Sequence, residues 1–361
     1  MAIKTKTPKG KAAEDERRLY DPTRLVKLSA VPDFERIATG IAAVDTYTCG
    51  GVPVGTMALF SGPQGSGKTN LGIFTIAGFQ RLYPKAKVLY INADNKLDVP
   101  WAIQLGVDKE RVEVYRPTST DDAHDMIYHI CEKRRDVGLV FTDSLAALSP
   151  EDEIIGGQEM GLGPRMNNKF FRKMTMLQLG RLNIGKPLTH VVINQERMKI
   201  VPGQKFPLWT IPGGKQQEFQ AALWVKFNQP DLHVDKLTGL PIAITMRYVL
   251  KKNQGGASGY PAETCIVTTP HQQWRPGQLL DHEFIWLWGF RLGVFKGLQK
   301  APLLASWEDE AAAYANAKRE VQGVFQQWLN GKQKATFIKE ENLVTVAASP
   351  EGETNGALAE S

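Results

Sequence analysis

The octapeptide "GPQGSGKT", Gly62–Thr69, carries the residue types needed to hold a polyphosphate. Glycines spaced G-x-x-x-x-G-K-[ST] let backbone N–H groups turn inward around an anion, and a helix opening behind them adds its partial positive charge. On this reading Gly62, Pro63, Gln64, Gly65, Ser66 and Gly67 cradle the phosphates. Lys68 reaches the β- and γ-phosphates, and the Thr69 hydroxyl ligates Mg²⁺. The same residues could make an ordinary glycine-rich turn, but strand, loop and helix follow in the order the motif requires. Three further strand ends carry groups that suit phosphate chemistry. "LVFTDS" ends in Asp143, which can hold the water shell of Mg²⁺ or merely cap a helix. "VLYINADNKLD", Val88–Asp98, runs from a strand into a polar loop with two acids, Asp94 and Asp98. "VVINQ" ends in Gln195, a neutral amide able to sense a γ-phosphate and pass its presence onward, or simply a satisfied polar residue.

The elements that must position these groups are legible as short apolar runs alternating with helical periodicity. Thr56–Ser61, Lys87–Ile91, Val112–Tyr115, "VGLVFTD" and "LTHVVINQ" read as strands, and Thr69–Leu82, Asp121–Arg135 and Phe170–Leu182 as helices. Wholly apolar strands between helices predict a mainly parallel α/β sheet covered on both faces. After Ala221 the longer segments "LWVKFNQP", "PIAITMRYVLKKN" and "ETCIVTT" predict antiparallel strands at the sheet edge. From Leu279 helices dominate.

This pattern predicts a short basic N-terminal arm over 1–33, an α/β core over 34–278, a small helical C-terminal region over 279–340 and an acidic, disordered tail over 341–361. Of the 361 residues 42% are hydrophobic and 23% charged, ordinary values for a soluble globular protein, and no run of 18 apolar residues appears. The start of the chain lacks the apolar segment of a secretory signal. Cys49, Cys131 and Cys265 are far apart without metal-ligand spacing, which suits a reducing cytoplasm, and the six histidines form no cluster. The net charge of +6 favours a polyanionic partner. Residues 1–27 carry eight Lys/Arg against four acids, whereas the last residues are acidic, a distribution that fits polyanion binding or two solvated tails.

Taken together these segments resemble the RecA family of DNA strand-exchange ATPases, and phage recombinases of the UvsX kind. The likeness runs from Phe34 to Ile285 through "IATGIAAVDTYTCGGVPVG", "GPQGSGKT", "INADNKLDVPWAIQLGV", "LVFTDSLAALSP", "EMGLGPRMNNKFFRKM" and "INQERMKI". The resemblance implies a RecA-like P-loop core with ATP and Mg²⁺ as cofactors, Lys68, Thr69 and Asp143 as phosphate and metal residues, and Gln195 as γ-phosphate sensor. It implies Asp98 for the adenine amino group, Trp101 stacked on the base, and Lys251 and Lys252 reaching the ATP of a neighbouring subunit. Asp94 stands where the family has a glutamate that orients the attacking water. Its side chain is one methylene shorter, so slow hydrolysis is expected. The resemblance also makes Glu153–Lys169 and Glu196–Lys215 two DNA-binding loops. The second carries four Lys/Arg against one acid with Met198, Phe206 and Trp209 interleaved, a composition that tracks a phosphate backbone and wedges between bases. Met160, Arg165, Arg172, Arg197, Lys199, Lys205 and Phe206 are the expected contacts. The implied function is a filament on single-stranded DNA that pairs it with a homologous duplex, with single-strand-binding and loader proteins as further partners. A ring helicase on the same core, or a recombination mediator with a weak ATPase, is the alternative.

Overall fold

A strand buried on both faces must divide its side chains between two cores, and the central strands here do so residue by residue. The computed structural model describes residues 35–151, 162–199, 208–256, 258–270, 274–295, 298–309 and 311–329, together with Lys27 and Ser29. The chain begins with β1 (Arg36–Ile37), α1 (Ala42–Tyr47), β2 (Val52–Pro53), β3 (Met57–Gly62) and α2 (Lys68–Leu82). It continues through β4 (Lys87–Asn92), α3 (Val99–Gln104), β5 (Val112–Tyr115), α4 (Thr120–Lys133) and β6 (Val137–Asp143). Ala58 and Phe60, Val88 and Tyr90, and Leu139 and Phe141 join one core with α2. Met57 and Leu59, Leu89 and Ile91, and Val137 and Val140 join the other, with Ile127 and Cys131 of α4. Apart from a register shift at the start of β6, which sets Val137 and Val140 three apart, this period of two on both faces explains the uninterrupted apolar runs.

Next come α5 (Leu162–Asn183), β7 (Thr189–Gln195), the hairpin strands β8 (Arg197–Lys199) and β9 (Leu208–Thr210), α6 (Gln216–Gln220) and β10 (Ala221–Phe227). The edge strands β11 (Asp231–Val234), β12 (Pro241–Asn253), β13 (Pro261–Val267) and β14 (Leu279–Leu280) lead to α7 (His282–Arg291), α8 (Lys300–Asp309) and α9 (Ala311–Leu329). The described strands of the main sheet lie in the order β14-β13-β12-β10-β3-β7-β6-β4-β5, with β11 on β12. From β10 to β5 neighbours are parallel, and from β10 to β14 antiparallel. The expected mixed sheet with antiparallel edge strands is therefore present.

Two segments differ from the sequence reading. Glu153–Lys169 was expected to be a loop, yet it is helical from Leu162 onwards. Pro164 sits in the first turn, where its missing N–H removes no helical hydrogen bond, and Asn167, Phe170, Phe171 and Met174 continue one buried stripe. Glu196–Lys215 is likewise not all loop: β8 pairs with β9 through Arg197↔Thr210, Met198↔Trp209 and Lys199↔Leu208.

Helices α7 and α9 close over α1 through aromatic contacts. Trp288 meets Tyr47 edge-on at 5.7 Å and Phe325 at 4.9 Å between ring centroids, and its Nε1 donates to the Tyr47 hydroxyl at 3.1 Å. Asp281, at the start of α7, accepts from the Ala42 N–H at 2.9 Å and from the Tyr314 hydroxyl, and Lys318 lies 3.6 Å away. A buried carboxylate is tolerated there because donors from α1 and α9 converge on it.

Candidate nucleotide site and nucleic-acid face

Register brings the strand-end groups together. Gly62 pairs with Gln195 across β3 and β7, and Asn92 pairs with Asp143 across β4 and β6. Because these strands are parallel, their C-terminal ends open on one side, at the crevice where such sheets bind ligands. A cavity of about 320 Å³ lies there, lined by Gln64–Asn70, Asp94, Lys96, Asp143, Ile193 and Gln195.

The loop's shape depends on glycine at the junction with α2. Gly67 has φ +93°, and a Cβ there would lie 2.3 Å from Met246 Sδ, so a side chain is excluded by both torsion and space. Lys68 is buried and donates to the carbonyl of Pro63 and to Ser66 Oγ at 3.3 Å. Burial lowers its ammonium to about 8, while Asp143 and Glu196 pull the other way. Thr69 Oγ1 donates to Asp143 Oδ2 at 3.0 Å, and the Tyr90 hydroxyl donates to the same oxygen at 3.1 Å. Burial, then the nearby Asp94 carboxylate, pushes Asp143 up to about 6.

This donor set fits Mg²⁺ in the presence of a nucleotide. A hydroxyl and a carboxylate are hard oxygen ligands, and Mg²⁺ takes one or two protein oxygens together with phosphate oxygens and water. Asn92, the register partner of Asp143, also buries a side-chain oxygen that lacks a hydrogen-bond partner. Among the described residues no group of three or more His, Cys, Asp or Glu side chains could hold a metal unaided.

Asp94 faces the cavity but is engaged. Its side chain is 15% exposed, accepts from the Lys96 N–H at 3.2 Å and pairs with Lys96 Nζ at 3.6 Å. Asp98 caps α3, accepting from the Trp101 N–H at 2.9 Å, and is exposed. Trp101 is half-buried against the core, and its Nε1 donates to Asn70 Oδ1 at 2.9 Å, beside Thr69. Neither Asp98 nor Trp101 lines the phosphate cavity.

A second acid stands at a strand end near the phosphate loop. Glu196, immediately after β7, has a side chain only 7% exposed, lies 3.1 Å from Lys226 Nζ and acts electrostatically on Lys68. Its place directly after Gln195 was the available signal. Tyr90 was missed because nothing in a strand sequence shows that its hydroxyl reaches the next strand.

The basic groups expected on DNA divide between two elements. Arg165, Lys169 and Arg172 are exposed at i, i+4 and i+7 on α5, which sets them along one helix face. Arg197 is exposed on β8 and donates to the Ala146 carbonyl at 3.0 Å. Lys199 belongs to β8, while Met160, Lys205 and Phe206 lie outside the described residues. Lys251 is exposed, whereas Lys252 donates to the carbonyls of Glu218 at 3.3 Å and Phe219 at 2.7 Å.

A phosphate-binding loop after a central parallel strand, with polar groups on the neighbouring strand ends, defines a P-loop α/β protein of RecA-like fold. Residues 13–253 match the RecA N-terminal domain family, and the chain belongs to that family. Protein RecA of Helicobacter pylori (strain P12) is 34% identical over 219 residues, 59% of this chain. The chain spans 60% of the length of that relative. Protein RecA of Wolinella succinogenes is 35% identical over 207 residues, 55% of this chain and 56% of that protein. A crystal structure of the RadB recombinase superposes with a TM-score of 0.46 at 17% identity, covering 64% of this chain and 96% of that one.

Proposed function

We propose that the protein is an ATP-dependent DNA recombinase, forming a filament on single-stranded DNA and pairing it with a homologous duplex in recombination and repair. The observation that carries this reading is the register Gly62↔Gln195, which sets the end of β7 beside the phosphate loop and leads directly into the basic hairpin β8–β9. Family membership supports it. On this account the loop N–H groups and Lys68 hold the triphosphate, and Thr69 with Asp143 would hold Mg²⁺. The ion, when bound, neutralises charge on the β- and γ-phosphates. Asp94 accepts the proton of the attacking water as its oxygen bonds to the γ-phosphorus and the bond to ADP breaks. Trp101 and Asp98 serve the adenine, and Lys251 or Lys252 the ATP of an adjoining subunit.

Gln195 gives the nucleotide a means of biasing the DNA face. Binding of each ligand then tightens the other by the same factor. Subunits adding head to tail without closing give a helical filament. Arg165, Arg172, Arg197 and Lys199, with Met160, Lys205 and Phe206, contact DNA, largely through phosphates and therefore with strong salt dependence. We place the protein in the cytoplasm, with single-strand-binding and loader proteins as further partners. No helix among the described residues is long and apolar enough to cross a membrane.

The direct test is phosphate release with and without single-stranded DNA. Stimulation by DNA in the wild type, abolished in Lys68→Ala, is expected. Nucleotide-driven unwinding of a forked duplex lacking homology would instead favour a helicase, and DNA binding indifferent to nucleotide a mediator.

A further inference from the structure

Behind Gln195 lies a buried polar cluster that the nucleotide chemistry does not use. Asn194 and Gln217 are wholly buried and Asn167 is 5% exposed. Asn194 Oδ1 accepts the Gln195 N–H at 2.9 Å, while its Nδ2 donates at 2.8 Å to both Gln217 Oε1 and the Pro212 carbonyl. Gln217 Nε2 donates in turn to the carbonyls of Pro212 at 2.7 Å and Gly214 at 2.9 Å. Gln217 thereby spends both amide hydrogens on one turn, "PGG", just beyond β9, and Asn194 spends one there and one on Gln217.

The same turn is held from the opposite side by the helix that carries the basic stripe. Asn167 Nδ2 donates to the Gly213 carbonyl at 3.3 Å. Gly213 has φ +88°, and a Cβ on it would fall 2.7 Å from Asn167 Nδ2, so helix and turn approach as closely as glycine permits. Asn167 has His124 as its other polar neighbour, and Asn168 beside it keeps a buried oxygen without a hydrogen-bond partner. The Gln217 end grips the turn through short hydrogen bonds, whereas the Asn167 end holds it by one at 3.3 Å. A buried polar group short of a partner is costly, so a shift of the weakly held end that supplies one is favoured.

We propose that Gln217, with Asn194 and Asn167, is a positioning latch joining the nucleotide site to both basic elements. It rests on the function proposed above and specifies how that coupling is carried. Nucleotide contact at Gln195 shifts the Asn194 amide, Gln217 follows, and the Pro212–Gly214 turn moves against α5. The β8–β9 hairpin and the Arg165–Lys169–Arg172 face are repositioned together rather than singly. The latch touches neither nucleotide nor DNA, so its role is transmission. Composition alone does not disclose it, because a glutamine in a five-residue helix reads as an ordinary surface polar residue.

The experiment measures equilibrium binding of a labelled single-stranded oligonucleotide by the full chain, with and without a non-hydrolysed ATP analogue, alongside analogue binding without DNA. The wild type should bind DNA on the order of 10- to 100-fold more tightly with analogue. In Gln217→Leu that ratio should fall to within about twofold of unity while analogue affinity alone is kept, a split that mere destabilisation does not produce. Asn167→Ala, which leaves the Gln217 end intact and serves should Gln217→Leu not fold, should lower the ratio partially. A Gln217→Leu protein with the full wild-type ratio, or Asn167→Ala with the full ratio where only that variant folds, overturns the latch alone. A wild type with no nucleotide dependence overturns the latch and the proposed function together.

Discussion

Asp94 lines the phosphate-loop cavity and carries two attachments, to the Lys96 N–H and ammonium, and the proposed mechanism makes it the base. Asp94→Asn preserves the turn's acceptor and removes the base. Hydrolysis should therefore fall by about 10²-fold or more with nucleotide and DNA binding retained, measured by phosphate release and nucleotide titration. Unchanged turnover would reduce Asp94 to a turn cap. A second residue-scale prediction concerns His124, which stacks on Phe170 with centroids 4.0 Å apart. Burial lowers its imidazole to about 4 from the usual 6.5. In that window the unfolded chain binds the extra proton, so stability is lost as pH falls. From this residue, folding should weaken by about 2 kcal/mol between pH 7.5 and pH 5, and His124→Gln should remove that share of the slope in urea titrations. The P-loop residues were legible because their chemistry depends on short sequence spacing. Glu196 and Tyr90 were not, because their roles depend on which way a side chain points after the strands have paired.

Among the elements, the C-terminal end of α5 is tied down through Arg181. Arg181, 1% exposed, directs its guanidinium donors at the carbonyls of Lys186, Cys131, Arg134, Arg135 and Val137, at 2.7 to 3.3 Å. It thereby ties the end of α5 to the end of α4 and the start of β6. Arg181→Met fills the space but strands those carbonyls, so unfolding free energy should drop by about 3–5 kcal/mol in denaturant titrations. A drop under about 1 kcal/mol would mean that water replaces the guanidinium. Strand positions were legible because continuous apolar runs admit few other readings. The start of α5 was hidden by glycine and proline, which elsewhere break helices but are tolerated in a first turn. The β8–β9 hairpin was hidden because three-residue strands of basic and aromatic residues carry no usable alternation.

For the molecule as a whole, sheet order explains why a local motif becomes a site. With β3 beside β7, and β6 beside β4, groups far apart in sequence end at one level, and the crevice forms without any loop having to reach far. The helices that follow the edge strands close over α1 through Asp281 and the Tyr47–Trp288–Phe325 aromatics, while β12 sets Met246 against Gly67 of the phosphate loop. Parallel order was legible as a class, but the strand order was not, since it depends on crossovers rather than composition. The central claim is that nucleotide held in this crevice drives homologous pairing on DNA. The most direct test is joint-molecule formation between a single strand and a duplex, with ATP or a slowly hydrolysed analogue, for wild type and Lys68→Ala. Wild type should form joints only with homologous duplex and only with nucleotide, and Lys68→Ala should form none. A wild type that binds nucleotide and DNA yet never pairs homologous strands would contradict the claim.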